Sequence, residues 1–507
     1  MSTGVTELPP RPAPGTPPVG WDNLIAGRHH GGGAGRLPVV DPYTGEEWAT
    51  VPDSGPAEVD AAVAAARAAF AGGWGTALPA ARASALRRFA DLIEEHAAEL
   101  TQLQTRENGK AVREQHAQTL GLGAHLRFFA GIAETIHGET IPVSTPQMFH
   151  FTVREPLGVV ACLTPWNSPL ALLMWKLAPA LAAGNAIVVK PSEVTPVSTL
   201  RLVELAQEAG FPEGTVNVVT GGAEAGKLLV AHPGVDLVAF TGSTAAGRQI
   251  AATAGGRLAR YTLELGGKSP NVVFADADLD AAIEGVVGGI FAAAGQTCIA
   301  GSRVLVEASI EEEFTRRLVE RSERIVLGDP LSWDTEVGTI ASPAQLEKVR
   351  EYVGIATAEG ARLAAGGDAP SAAELQGGLF FEPTIFTGVR PEMRIAREEV
   401  FGPVASVLTF ADEEEATRMA NDTDFGLGAG VWTKDLARAM RMMKAIRSGT
   451  VWVNTYRKTN YASPFGGFGD SGIGRENGAA AVEEFTGVKT VWIDTGSGIA
   501  DPFNPFA

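Results

Sequence analysis

The fold is decided between Gly158 and Pro196, in the run GVVACLTPWNSPLALLMWKLAPALAAGNAIVVKPSEVTP. Two short apolar segments, GVVACLT and AIVVK, flank a helical stretch from Pro169 to Ala183. Such strands alternating with helices of roughly 10–15 residues predict βαβ units and a parallel sheet buried on both faces. The pattern continues outward. TVNVV and DLVAF read as strands, and Thr195 to Ala209 and Ala223 to Ala231 as helices. The apolar stretch from Leu157 to Val189, with Lys176 its only charge, has the composition of a membrane span. Pro165, Pro169, Pro179 and Gly184 cut it into pieces too short for about 30 Å of hydrocarbon. The expected class is α/β, with a doubly wound, Rossmann-like nucleotide-binding domain.

A second alternating block begins near Tyr261. TLELGG, NVVFA, SRVLVEA, GVWT and GTVWVN read as its strands. Its helices are Leu279 to Ala294, Glu311 to Ile325, Pro343 to Glu359 and Glu413 to Ala420. Toward the N-terminus, Pro56 to Arg106 carries helical apolar spacing and predicts two surface helices. Phe128 to Val153 reads as a helix followed by extended chain that could pair with another subunit. The last strand-like run is VKTVWID. Six prolines fall between Pro9 and Pro18, so residues 1–18 read as a flexible, partly polyproline tail. It lacks the basic and apolar regions of a secretory signal.

The length of 507 residues suggests about three domains. Hydrophobic residues make up 45%, which excludes wholesale disorder. The net charge of −18 argues against a general nucleic-acid binder and against docking on anionic lipid. The only cysteines, Cys162 and Cys298, cannot build a disulfide framework or a four-thiolate zinc site. A reducing compartment fits, and either thiol could be a lone nucleophile.

Cys298 lies in FAAAGQTCIAGSR, bracketed by Gly295 and Gly301, where a thiol can face a cleft. The alternative is a buried, inert thiol. Cys162 lies inside a core strand. Glu264 ends an apolar run in LELGGKSPN; burial there would raise its pKa toward general-base range, unless it is a salt-bridged surface residue. Asn167 in TPWNSP could donate to an oxyanion or merely cap the following helix. Lys190 ends a strand, where ligands of parallel sheets bind, and Glu193 could accept from ribose hydroxyls; a loop salt bridge is the alternative. Gly242 and Ser243 open a helix after a strand, a phosphate-binding arrangement of limited specificity. The strict GxGxxG at Gly467, Gly469 and Gly472 follows a proline-containing loop and is followed by too little chain for a dinucleotide domain. There is no HExxH, CxxC pair or Walker motif, and no metal site is expected.

Seven segments in order, TPWNSP, VVKPSE, FTGS, LELGGKSPN, GQTC, EEVFGPV and PFGGFGDSGIGRE, are similar to the aldehyde dehydrogenase superfamily over about Pro42 to Asp494. The resemblance implies an NAD-dependent, hydrolytic enzyme with NADP possible. Cys298 would attack the aldehyde, Asn167 and the Cys298 N–H would hold the oxyanion, and Glu264 would activate the water that hydrolyses the thioester. Lys176 and Glu476 would relay protons from Glu264. Cofactor contacts would come from Trp166, Lys190, Glu193, Gly242, Ser243, Gly266, Glu399 and Phe401. The Glu193 carboxylate would favour a 2′-hydroxyl over a 2′-phosphate. The substrate pocket would comprise Ser168, Leu172, Trp175, Thr297, Ile299 and Phe465. Where many members carry a large aromatic, this chain has Ser168, and no Arg maps to the pocket, which disfavours a terminal carboxylate on the substrate. Gly469 stands where many members have Lys. The implied architecture is residues 19–130 and 150–260 for NAD, 261–450 for catalysis, and an oligomerisation arm of 131–149 and 480–496. A cytoplasmic dimer or tetramer is expected. Two rivals remain: transfer of the acyl group to coenzyme A, which the carboxylate of Glu264 disfavours, and a non-catalytic protein on the same fold.

Overall fold

The computed structural model describes residues 8, 11, 13, 15–144, 146–496 and 503. Its largest sheet has eight strands. Val159–Leu163, Ala186–Lys190 and Val216–Val218 run parallel on one side. Leu237–Thr241 and Arg260–Glu264 continue parallel on the other side of Val159–Leu163. The chain therefore reverses its direction of growth beside Val159–Leu163, and such switch points open a crevice at the carboxyl ends of the strands. This bears out the α/β expectation. The central strands are buried along their full length because helices cover both faces.

The helix Pro169–Ala183 has the bounds expected from sequence. Proline presets its first turn, and Gly184, at φ 98°, ends it in the left-handed region. Elsewhere boundaries shift. The stretch expected to hold two helices holds three: Pro56–Ala71, Pro79–Glu95 and Ala97–Asn108. The break at His96 has no glycine or proline to announce it. Arg260–Glu264, expected to open the second block, pairs instead within the first sheet. A division at residue 260 would separate this strand from its own sheet. Its outer edge is covered by Gly472–Ile473, antiparallel, from the glycine-rich tail.

The second sheet has seven strands. Thr384–Thr387, Val404–Phe410, Arg303–Glu307, Pro270–Val273, Gly428–Trp432 and Thr450–Val453 run parallel in that spatial order. Arg362–Ala365 pairs antiparallel at one edge. Met148–Pro156 and Thr486–Asp494 form a separate two-stranded antiparallel ribbon, in register from Met148↔Asp494 to Pro156↔Thr486. Most of the proline-rich segment lies outside the described residues. Arg11 within it pairs with Asp41 at 3.3 Å and Asp329 at 2.9 Å.

Candidate active site

Cys298 is placed by an irregular turn. The helix expected to run to Ala294 stops at Ile290. Ala293, Ala294 and Gly295 then adopt φ of 55°, 52° and 70°. These are left-handed, and a side chain at Gly295 would overlap the Gly402 carbonyl oxygen. The buried Gln296 side chain fixes the turn. Its Nε2 donates to the Ala293 and Thr339 carbonyls at 3.1 and 3.2 Å, and its Oε1 accepts from the Ala341 N–H at 2.9 Å.

Asn167 is tied to the same turn: its Nδ2 donates to the Gln296 carbonyl at 2.9 Å. An amide nitrogen carries two hydrogens. One is spent on Gln296, and the second remains for an oxygen near Cys298. Asn108, not singled out from sequence, donates to the Trp166 carbonyl at 3.2 Å and steadies this loop.

Glu264, at the end of its strand, is buried, and neither carboxyl oxygen has a hydrogen-bond partner. Burial and the nearby Glu476 charge push its pKa well above the usual carboxylate range. Burial, then the Glu264 and Glu399 charges, push the Cys298 thiol up to about 12. Gly267 explains the close approach of the two segments: a Cβ there would lie 2.5 Å from the Cys298 carbonyl oxygen. Lys176 is fully buried, ion-paired with Glu476, and donates to Thr241 Oγ1 at 2.5 Å. Burial raises the pKa of Glu476, against the lowering effect of Lys176.

The residues expected to contact a cofactor lie on the crevice strands and the facing loop. Lys190, mostly buried, ends its strand and reaches Glu193 at 3.5 Å. Ser243 caps the helix Thr244–Gly256, accepting from the Ala246 N–H at 3.3 Å. The Gly242 N–H donates to the Glu264 carbonyl at 3.0 Å. Glu399 Oε1 accepts from the Gly267 N–H at 2.9 Å, and a Cβ on Gly266 would overlap the same carboxylate. Phe401, at φ 58°, stands edge-on to Trp166 at 5.3 Å. A bare Gly266–Gly267 backbone and the helix N-terminus at Ser243 together suit a dinucleotide.

On the other side of Cys298 lies a cavity of about 910 Å³. Its lining includes Asn167 and all six expected pocket residues: Ser168, Leu172, Trp175, Thr297, Ile299 and Phe465. The expectation that no arginine faces it is overturned, since Arg113 and Arg457 both line it. Arg457 pairs with Glu114 at 2.8 Å. Lys110, buried and pushed down to about 8 by burial, donates to Ser168 Oγ at 2.7 Å. These residues come from the helix Val112–Ala133, the turn before it and the 456–461 loop.

Among the described residues, no three or more His, Cys, Asp or Glu gather as a metal site. Within the same residues no helix is long and apolar enough to cross a membrane.

Fold and site define an enzyme class: a thiol nucleophile beside a dinucleotide crevice. The chain belongs to the aldehyde dehydrogenase family, whose profile matches residues 30–491. It is 46% identical to a betaine aldehyde dehydrogenase of Mesorhizobium japonicum, covering 92% of this chain and 95% of that protein. It is 43% identical to a betaine aldehyde dehydrogenase of Bacillus subtilis, covering 92% and 96%. The crystal structure of a betaine aldehyde dehydrogenase from Staphylococcus aureus in complex with NAD+ is 39% identical, covers 96% of each chain, and superposes with a TM-score of 0.93. A point mutant of that protein, also with NAD+, carries a BME-modified cysteine.

Proposed function

We propose that this aldehyde dehydrogenase oxidises an aldehyde to the carboxylic acid with NAD, through a thioester on Cys298. The observation that carries the reading is the convergence of Cys298, Asn167 and Glu264 where the cofactor crevice meets the 910 Å³ cavity. The thiol proton passes to Glu264 as Sγ adds to the carbonyl carbon. Asn167 Nδ2 and the Cys298 N–H hold the oxyanion, whose charge the buried site would otherwise leave uncompensated. Lys190, Glu193, Ser243, Glu399 and Phe401 hold the cofactor, with Trp166, Gly242 and Gly266 shaping its slot. When bound, the cofactor supplies the acceptor for the hydride leaving the thiohemiacetal carbon. Glu264 first hands the thiol proton to Glu476 and Lys176, then takes a proton from water; hydroxide adds to the thioester, and the sulfur leaves as thiolate. Lys176 and Glu476 carry the proton onward.

For the quaternary structure we favour a cytoplasmic dimer or dimer of dimers joined through the ribbon. Two strands alone are marginal in water. Phe149, Val488, Trp492 and Ile493 on the ribbon are exposed. The two free cysteines suit a reducing compartment.

The test is an aldehyde panel followed by NADH absorbance and product analysis. Free acid should form without coenzyme A; acyl-coenzyme A in place of acid would sink the hydrolytic reading. Glu264→Gln should slow steady NADH production by roughly 10²–10⁴-fold. Cys298→Ala retaining dehydrogenase activity would overturn the nucleophile.

A further inference from the structure

We propose that the substrate side is built for an aldehyde with a bulky, largely apolar body and a hydrogen-bond-accepting outer end, not for a small or cationic one. This deepens the dehydrogenase reading and rests on it.

Volume is the first support. None of Glu264, Glu399 or Phe401 lines the 910 Å³ cavity, so this space is additional to the cofactor crevice. Cavities of roughly 300–1,000 Å³ enclose ligands the size of drugs. The second support is how the space is made. Gly121 and Gly288 line it from different helices, Val112–Ala133 and Leu279–Ile290. A Cβ built on either meets nothing within 4 Å, and neither has a positive φ. No local packing or backbone conformation requires glycine there, and glycine is a poor residue for a helix interior. What the missing side chains leave is room.

The lining changes character with depth. Leu172, Ile299 and Phe465 are buried near the thiol, with Trp175 tilted against Phe465 at 4.9 Å. Arg113 and Lys458, at the exposed rim, have no ion pair among the described residues. Two of the three carboxylates facing the cavity are ion-paired. Glu114 pairs with Arg457 and Glu284 with Arg321, each at 2.8 Å, and Glu336 accepts from the Val326 N–H at 3.0 Å. An entering cation meets one carboxylate without a counter-ion, Glu336, whereas an acceptor on the outer end of a long substrate meets two cations without one, Arg113 and Lys458.

The experiment compares propanal, betaine aldehyde, a naphthaldehyde and a naphthaldehyde with a carboxylate on its far ring, using the full chain and NAD. The naphthaldehydes should exceed both small aldehydes in kcat/KM by about tenfold or more. The carboxylate should lower KM further, and Arg113→Gln should remove that advantage. Gly288→Leu, or independently Gly121→Leu, should lower the naphthaldehyde-to-propanal ratio of kcat/KM by about tenfold or more, mainly through KM. Calorimetric binding of naphthoate, the product acid, should weaken in the same two variants. Preference for propanal or betaine aldehyde, or equal losses for large and small aldehydes in both variants, overturns the proposal. Should no aldehyde be oxidised at all, the dehydrogenase reading fails. Naphthoate binding that the leucine variants block would still uphold the cavity assignment, and its absence would overturn that too.

Discussion

At Cys298 the local charges oppose the reactive form of the thiol. Burial comes first, and Glu264 and Glu399 add to it, so the sulfur stays protonated near neutrality. The thiolate fraction of an acid with a raised pKa grows with pH. Alkylation of Cys298 by iodoacetamide in the cofactor-free protein should therefore rise about tenfold per unit between roughly pH 7 and 10. A rate already flat below pH 8 would contradict this environment. Glu193 offers a second check: Glu193→Gln should raise NADP use relative to NAD by about tenfold or more, because it removes a charge that repels a 2′-phosphate. Unchanged selectivity would remove Glu193 from the ribose site. Cys298, Glu264 and Asn167 could be named as candidates because each lies in a short motif, and seven such motifs in order resemble one family. Lys110, Arg113 and Arg457 could not. Arg113 and Arg457 reach the cavity from a helix start and a late loop, Lys110 lies behind Ser168, and only tertiary packing brings them there.

Among elements, the turn before the nucleophile best separates local preference from tertiary demand. FAAAG is good helix sequence, and nothing in it announces three successive left-handed residues. Each non-glycine residue held there costs on the order of 1–2 kcal/mol. The Gln296 hydrogen bonds and the Gly402 carbonyl packed against Gly295 offset that cost. Gly295→Ala should lower stability by about 3 kcal/mol, through strain and overlap together. It should also move the Cys298 peptide away from Asn167. A lower denaturation midpoint with NADH production largely lost is the expected result, and full activity at unchanged midpoint would contradict it. The helix Pro169–Ala183, by contrast, was legible to the residue, since proline and glycine mark its ends. The break at His96 was hidden, because apolar spacing runs through it.

On the scale of the molecule, alternation of strands and helices foretold the parallel sheets. It did not foretell that Arg260–Glu264 belongs to the first sheet and is edged by Gly472–Ile473. That pairing depends on chain more than two hundred residues downstream, beyond the reach of any local pattern. The exposed ribbon makes a prediction about assembly. Trp492→Asp, at a position 58% exposed in the single chain, should shift the protein to a smaller species in light scattering. An unchanged mass would place the subunit interface elsewhere.

The partnership of Lys176 with Glu476 also sets a clock. The two lie 300 residues apart, so at about 5–20 residues per second a ribosome makes the lysine roughly 15–60 s before its counter-ion. Until then the core around Pro169–Ala183 must either leave a cation unburied or bear about 3–5 kcal/mol for an uncompensated one. A chain cut short before Glu476 thus lacks both its proton relay and its last stabilising contacts. Inactive fragments are for that reason also the ones most exposed to proteolytic removal.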